Sequence, residues 1–276
     1  MSSLNPLLAK IKLPGRVFQL PSKGLFYPVG MFAESVKDAE VQVKPMSALT
    51  EIKVRSADLL YSAKVIGEVC AECVPEILKP ELLLSKDVDA LFLFLVAATY
   101  GNTKTIKSMH NCKKSEAHDY QVDLEKIISS PNNKILEHRA VLYRCELPNG
   151  QVVNLKPVSF QDSIEMMLLR QAISRKELNS EVITHREMED LVVRDLMSVI
   201  ESVTDGLERD ALTVTDRTSI SEWVRGLSRT YDDLIVEAAV RAAEWGFNFT
   251  VKLKCKDCGA EYDHEMELNP VNFLSG

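Results

Sequence analysis

Two hydrophobic periodicities alternate along the chain, and the order in which they alternate is written twice. Residues 41–52, VQVKPMSALTEI, and 152–164, VVNLKPVSFQDSI, each run a short apolar stretch into Lys-Pro, an apolar residue and a serine. A helical pattern begins there in both. Pro45 and Pro157 bias the preceding residue toward extended geometry, and Ser47 and Ser159 suit the cap of the helix that follows. Glu51 and Asp162 put carboxylates near the first turns, where the helix dipole favours them. Leu59, Leu60, Ala63, Ile66 and Val69 share one face of an amphipathic helix, and Ile164 to Ile173 and Leu191 to Val203 read as helical by the same test. The runs Asp87 to Gly101 and Asp232 to Gly246 share an acidic start, an Ala-rich body and an aromatic–glycine end, which predicts a helix closed by a left-handed glycine. Beyond each glycine the period falls to two. Tyr120, Val122 and Leu124, and Tyr262, His264, Met266 and Leu268, alternate as a strand with one buried face does.

These patterns predict a mainly α fold with short β-strands, built by internal duplication of a strand–helices–β-hairpin knuckle unit. The two hairpins are expected to form a zinc-ribbon-like element. Expected boundaries are an extended N-terminal arm at 1–28, a first repeat at 29–130 and a second at 131–276. A ribbon needs both hairpins side by side, so the repeats are expected to form one pseudo-symmetric body.

The metal chemistry enters through the knuckles. Residues 255–268, CKDCGAEYDHEMEL, carry a C-x-x-C closed by Gly259, which supplies two of the four ligands of a structural zinc ion. Residues 112–124, CKKSEAHDYQVDL, align with them, Cys112 on Cys255 and Ser115 on Cys258. A serine hydroxyl is a poor ligand, so the predicted metal set is Cys112, Cys255 and Cys258 with a histidine. His110 and His118 are the candidates; His118 is preferred, because a turn after Cys112 folds its imidazole back. The alternative is an emptied site whose cysteines pack as small core residues. Cys70 and Cys73 also spell C-x-x-C, but their flanks are helical and core packing explains them. Cys145 is alone and expected to be buried. Any zinc is expected to be structural, since no H-E-x-x-H, phosphate loop or nucleophile elbow is present. His138 and His185 have no partners at useful spacing, and no catalytic residue is assigned: an enzyme is not expected.

The bulk numbers narrow the classes further. The chain has 276 residues, 46% hydrophobic and 26% charged, enough for a real core, and its net charge of −7 argues against a general nucleic-acid binder. Lys252, Lys254 and Lys256 cluster at the knuckle, but acidic residues interleave with them. No signal peptide is expected in a start broken by Pro6 and Pro14, and Leu91 to Ala98 is too short to span a bilayer. A soluble intracellular protein follows, with thiols or metal ligands rather than disulfides.

One stretch does not read as packing sequence: Leu20-Pro-Ser-Lys-Gly-Leu-Phe-Tyr-Pro28. Its prolines, glycine and adjacent aromatics exclude a regular helix and fit an extended arm with a turn at 22–24. Pro21, Lys23, Phe26 and Tyr27 are therefore candidate partner-docking residues; a strap over the protein's own domain is the competing reading. This segment, the KPMS and KPVS strand ends, the Asp-rich helix ending in Tyr-Gly, and the knuckle closing on Asn269-Pro-Val-Asn-Phe273 resemble, in that order, the baseplate proteins of T4-like contractile-tailed bacteriophages. The resemblance spans roughly residues 13–274, with Ser115 a departure from the expected cysteine. It implies a non-enzymatic tail-morphogenesis protein, a baseplate hub subunit or hub assembly protein. Its implied partners are other hub and tail proteins, with no small-molecule substrate and no membrane. Its implied location is the host cytoplasm during assembly, or the tail baseplate. A tail-assembly chaperone for the tape-measure protein and a zinc-ribbon nucleic-acid accessory are the alternatives.

Overall fold

Among the described residues, 14–55, 63–112, 116–206 and 210–266 of a computed structural model, apolar side chains gather into two units. Unit 1 comprises Met1–Glu81, Asp87–Pro131 and Phe247–Gly276; unit 2 comprises Leu82–Lys86 and Asn132–Gly246.

Unit 1 is organised on one helix. β1 (Arg16–Gln19) pairs antiparallel with β2 (Glu40–Val43), Phe18 opposite Val41. The alternation in β2 turns Val41 and Val43 inward. After Lys44-Pro45, Ser47 Oγ accepts the Thr50 N–H at 3.1 Å and caps α1 (Ala48–Arg55). α2 (Ala63–Cys73) buries Val65, Ile66, Val69, Cys70 and Cys73 along one side. α3 (Ser85–Tyr100) is apolar all round, with an unbroken buried run from Ala90 to Ala97, the signature of a helix packed on every side. Phe94 on this helix stacks on Phe18 with centroids 4.5 Å apart and meets Phe247 edge-on at 5.7 Å. Gly101, at φ +90, ends α3 in the left-handed geometry that glycine takes without a Cβ clash. Two hairpins complete the unit: β3 (Thr103–Met109) with β4 (Ala117–Asp123), and β9 (Thr250–Lys254) with β10 (Glu261–Glu265). A short α4 (Leu124–Ile128), capped by Asp123, follows the first.

Unit 2 has a sheet of its own. α5 (Arg139–Leu142) leads into β5 (Arg144–Glu146), and β6 (Val152–Leu155), β7 (Ile200–Thr204) and β8 (Thr213–Val214) complete the antiparallel order β5-β6-β7-β8. α6 (Phe160–Leu178) starts at Ser159, whose Oγ accepts the Asp162 N–H at 3.0 Å. α7 (His185–Val199) opens on a capping box of Thr184 and Glu187. α8 (Arg217–Arg225) and α9 (Arg229–Ala242) follow, and a core of Val153, Leu155, Leu196, Ile200, Ile220 and Ile235 joins helices to sheet. Beside it the Tyr143 hydroxyl accepts the Trp245 indole N–H at 2.8 Å and donates to the Ala242 carbonyl at 2.9 Å.

The expectation of a mainly α chain is corrected. The described residues form nine helices and ten strands in four small sheets, 45% helix and 22% strand, a mixed α/β fold. The run Leu191–Val203 shows why: helix α7 stops at Val199, and the next five residues are β7. Ile200 and Ser202 are buried with Glu201 exposed between them, the alternation of a strand, but the apolar pair Ile200 and Val203 lies three apart, a spacing that a helical template absorbs at its edge. Gly246 likewise lies past the end of α9, at Ala242, and bridges to Asn132. Ser115, Leu59, Leu60, Leu268, residues 1–13 and the 269–273 motif lie outside the described residues.

Candidate metal centre

The β3–β4 hairpin is seven residues deep on each side, with Ser108 opposite His118 and Met109 opposite Ala117. Just past β3 the chain turns, Cys112 N–H bonding the His110 carbonyl at 2.9 Å, which folds His110 and Cys112 toward each other. The knuckle between β9 and β10 is tied at its base by the Cys255 N–H to the Ala260 carbonyl at 2.8 Å, and across by the Gly259 N–H to the Cys255 carbonyl at 3.0 Å. Gly259 sits at φ +75, a conformation that would strain any other residue there.

The two turns meet. His110, Cys112, Cys255 and Cys258 offer one nitrogen and three sulfurs, all within 4.8 Å of one another. Cys258 Sγ lies 3.4 Å from His110 Nδ1. Zinc–sulfur bonds of 2.3 Å in a tetrahedron put sulfurs about 3.8 Å apart, so this donor set fits the ion with little movement. The backbone is preset for it as well. The N–H groups of Cys258, first, and of Asp257 point at Cys255 Sγ and lower its pKa against the opposing effect of burial. The Ala260 N–H does the same for Cys258, but the neighbouring Cys255 and Cys112 sulfurs outweigh it and the Cys258 pKa is raised. Three thiols in this space cannot all ionise without a cation to neutralise them. The cluster can hold a metal ion.

Side chains fasten the hairpins to each other around the cluster. The His110 ring stacks on Tyr262 with centroids 4.8 Å apart. The Tyr262 hydroxyl donates to Ser108 Oγ at 3.0 Å, and Ser108 Oγ is 2.9 Å from His264 Nδ1. Lys256 Nζ donates to the Asp119 carbonyl at 2.6 Å and lies over the Tyr120 ring.

Of the residues selected by spacing, Cys112, Cys255 and Cys258 are brought together, and His118 is not with them. His118 belongs to β4, and its Nε2 is 2.7 Å from Asp257 Oδ2 in a separate group with Glu116. His110 stands beside the sulfurs instead, because β3 ends before it and the turn at Cys112 carries it over. Cys70 and Cys73 are buried on α2, and burial pushes their thiols up to about 12 and about 11, far from a ligand's thiolate. Burial raises the Cys145 thiol too.

The 20–28 segment is wound against unit 1 through consecutive turns, with Lys23 and Gly24 both in left-handed geometry. Pro21 is buried, Phe26 and Tyr27 are half-buried, and Lys23, Leu25, Pro28 and Val29 are exposed. The anchor was not legible in the motif itself: it is Asp87, fully buried on α3. Its carboxylate accepts the Ser22 N–H at 3.0 Å and the Tyr27 hydroxyl at 2.6 Å. Burial raises its pKa to about 6, with the hydrogen bonds from Ser22 and Tyr27 holding it below what burial alone would give. The one signal was an aspartate ahead of a long apolar run, where an ionisable group needs a partner.

Unit 2 carries a groove of about 840 Å³ between α6, α7 and α9, walled by Met166, Met167, Leu178, Val236 and Val240. Its Arg170 is engaged by Asp195 at 2.7 Å. Among the described residues no helix is long and apolar enough to cross a membrane.

A family model described as T4 bacteriophage base plate protein matches residues 33–274. No curated protein and no solved structure matches the chain.

Proposed function

The chain belongs to the T4 bacteriophage base plate protein family, and from that premise we propose that it is a non-enzymatic protein of tail morphogenesis that acts in assembly of the baseplate's central hub. The observation that carries the reading is the family match over residues 33–274, nearly the whole chain. The side chains are consistent with it. Its most concentrated chemistry, the His110–Cys112–Cys255–Cys258 cluster, is a closed donor set of the structural kind, with no open position for substrate. Asp87, a fully buried carboxylate, is consumed in holding the 20–28 segment.

The ion that fits the cluster is zinc, and bound there it would supply a cross-link. His110 and Cys258 are 148 residues apart, so the ion would fix the C-terminal hairpin to β3–β4 across a long intervening chain. The exposed edge of the 20–28 segment, Lys23, Leu25 and Pro28, is the part left for a partner to touch, while Pro21 and Tyr27 hold it in shape.

Co-expression with the hub and tape-measure proteins of the same phage, followed by pull-down, tests the assembly role. Retention of hub protein supports it; retention of the tape-measure protein alone transfers the role to a tail-assembly chaperone; retention of neither ends the proposal.

A further inference from the structure

The knuckle faces two groups of ligands, and only one contains the cysteines. We propose that Glu116, His118 and Asp257 form a second divalent-cation site beside the thiolate cluster, with a preference for a borderline transition ion such as zinc or cobalt. It stands on a donor set separate from the first, and shares with it only the turns that carry the residues.

One ligand atom from each of the three residues lies within 4.8 Å of the others. His118 is fixed by the register of β4 opposite Ser108, and Glu116 precedes that strand. Asp257 is the middle of the knuckle: its backbone N–H serves Cys255, while its carboxylate is directed at His118 Nε2, 2.7 Å away. The His118 and Asp257 side chains are only 24% and 11% exposed, so the pair is partly withdrawn from water before an ion arrives. The two carboxylates bring two negative charges, which a divalent ion neutralises. Lys256, the adjacent cation in sequence, is committed to the Asp119 carbonyl and does not serve them. The imidazole decides the class of ion, since an all-oxygen site suits calcium or magnesium whereas a nitrogen donor suits zinc, cobalt or nickel. Three protein ligands leave positions for water, so binding here is weaker and more exchangeable than at three sulfurs.

Equilibrium dialysis of the full chain against zinc, followed by elemental analysis, reads the stoichiometry. A cobalt titration separates the sites, because only thiolate-bound cobalt gives intense charge-transfer bands. The wild type should take up two equivalents, the second without further growth of the thiolate bands. His118→Ala and Asp257→Asn should each lose the second equivalent and keep the thiolate-bound one, with circular dichroism unchanged. A wild type that stops at one equivalent overturns the proposal and leaves a hydrogen bond between His118 and Asp257. So does a second equivalent that survives His118→Ala. If the thiolate bands never develop while His118-dependent binding persists, the first site has failed and the second stands.

Discussion

Removing one hydroxyl, by Tyr27→Phe, tests how the 20–28 segment is held. The Tyr27 hydroxyl, on a half-buried side chain, donates to Oδ2 of the fully buried Asp87 at 2.6 Å, and the Ser22 N–H also donates to that carboxylate at 3.0 Å. Above a pKa of about 6 the group is ionised. A hydrogen bond to a charged group contributes about 1.5–3 kcal/mol, against about 0.5–1.5 for a neutral pair. At pH 8 the substitution should therefore cost unit 1 about 2 kcal/mol, and at pH 5, where the carboxyl is largely protonated, about half as much. Hydrogen–deuterium exchange of peptides covering residues 16–43 and 87–100 reads this locally, with peptides of unit 2 as internal reference. Protection, corrected for intrinsic rates, should fall roughly 10- to 150-fold at pH 8 and by distinctly less at pH 5. Unchanged protection at pH 8, or equal losses at both values, would refute the assignment of Asp87 as the anchor.

Two further substitutions probe the two cores. Asp87 has its folded pKa raised from 3.8 to about 6, so the folded state binds more protons between those values and stability falls as pH rises through that window. The fall is on the order of 3 kcal/mol; Asp87→Asn, which keeps an acceptor for Ser22, should abolish it and leave unit 1 more stable than wild type at pH 8 but not at pH 4, as read by the same exchange experiment. In unit 2, Tyr143→Phe takes away both the acceptor of the Trp245 N–H and the donor to the Ala242 carbonyl. Urea unfolding followed by tryptophan emission should show a loss of about 2 kcal/mol; an unshifted midpoint would mean the buried chain of bonds carries no stability.

What the sequence made legible was local, and what it hid depended on register. Ser47 and Ser159 could be read as caps because capping needs only a serine and the three residues after it, and both hydroxyls accept the expected N–H. Cys112, Cys255 and Cys258 could be found from spacing, since a knuckle is a property of one turn. The choice between His110 and His118 could not. It depends on where β3 stops and which residue faces which across the hairpin, and nothing local distinguishes a histidine past the strand end from one inside the next strand. The strands of unit 2 were hidden for a related reason. β5 and β8 are three and two residues long, too short for a periodicity to show, and β7 follows α7 without a break. Asp87 was hidden because its partners are 60 and 65 residues away.

An ion held by His110, Cys112, Cys255 and Cys258 would tie the C-terminal hairpin to β3–β4. The most direct test of that tie is the zinc content of protein purified without added metal, paired with thermal unfolding before and after chelation. At least one equivalent should be found in the wild type, and Cys255→Ser should lose the thiolate-bound ion. Chelation should lower the unfolding temperature of the wild type by clearly more than that of Cys255→Ser, because the binding free energy of a structural ion is folding free energy. Zinc near zero in the wild type, or an unfolding temperature indifferent to chelation, would mean that no ion cross-links the hairpins.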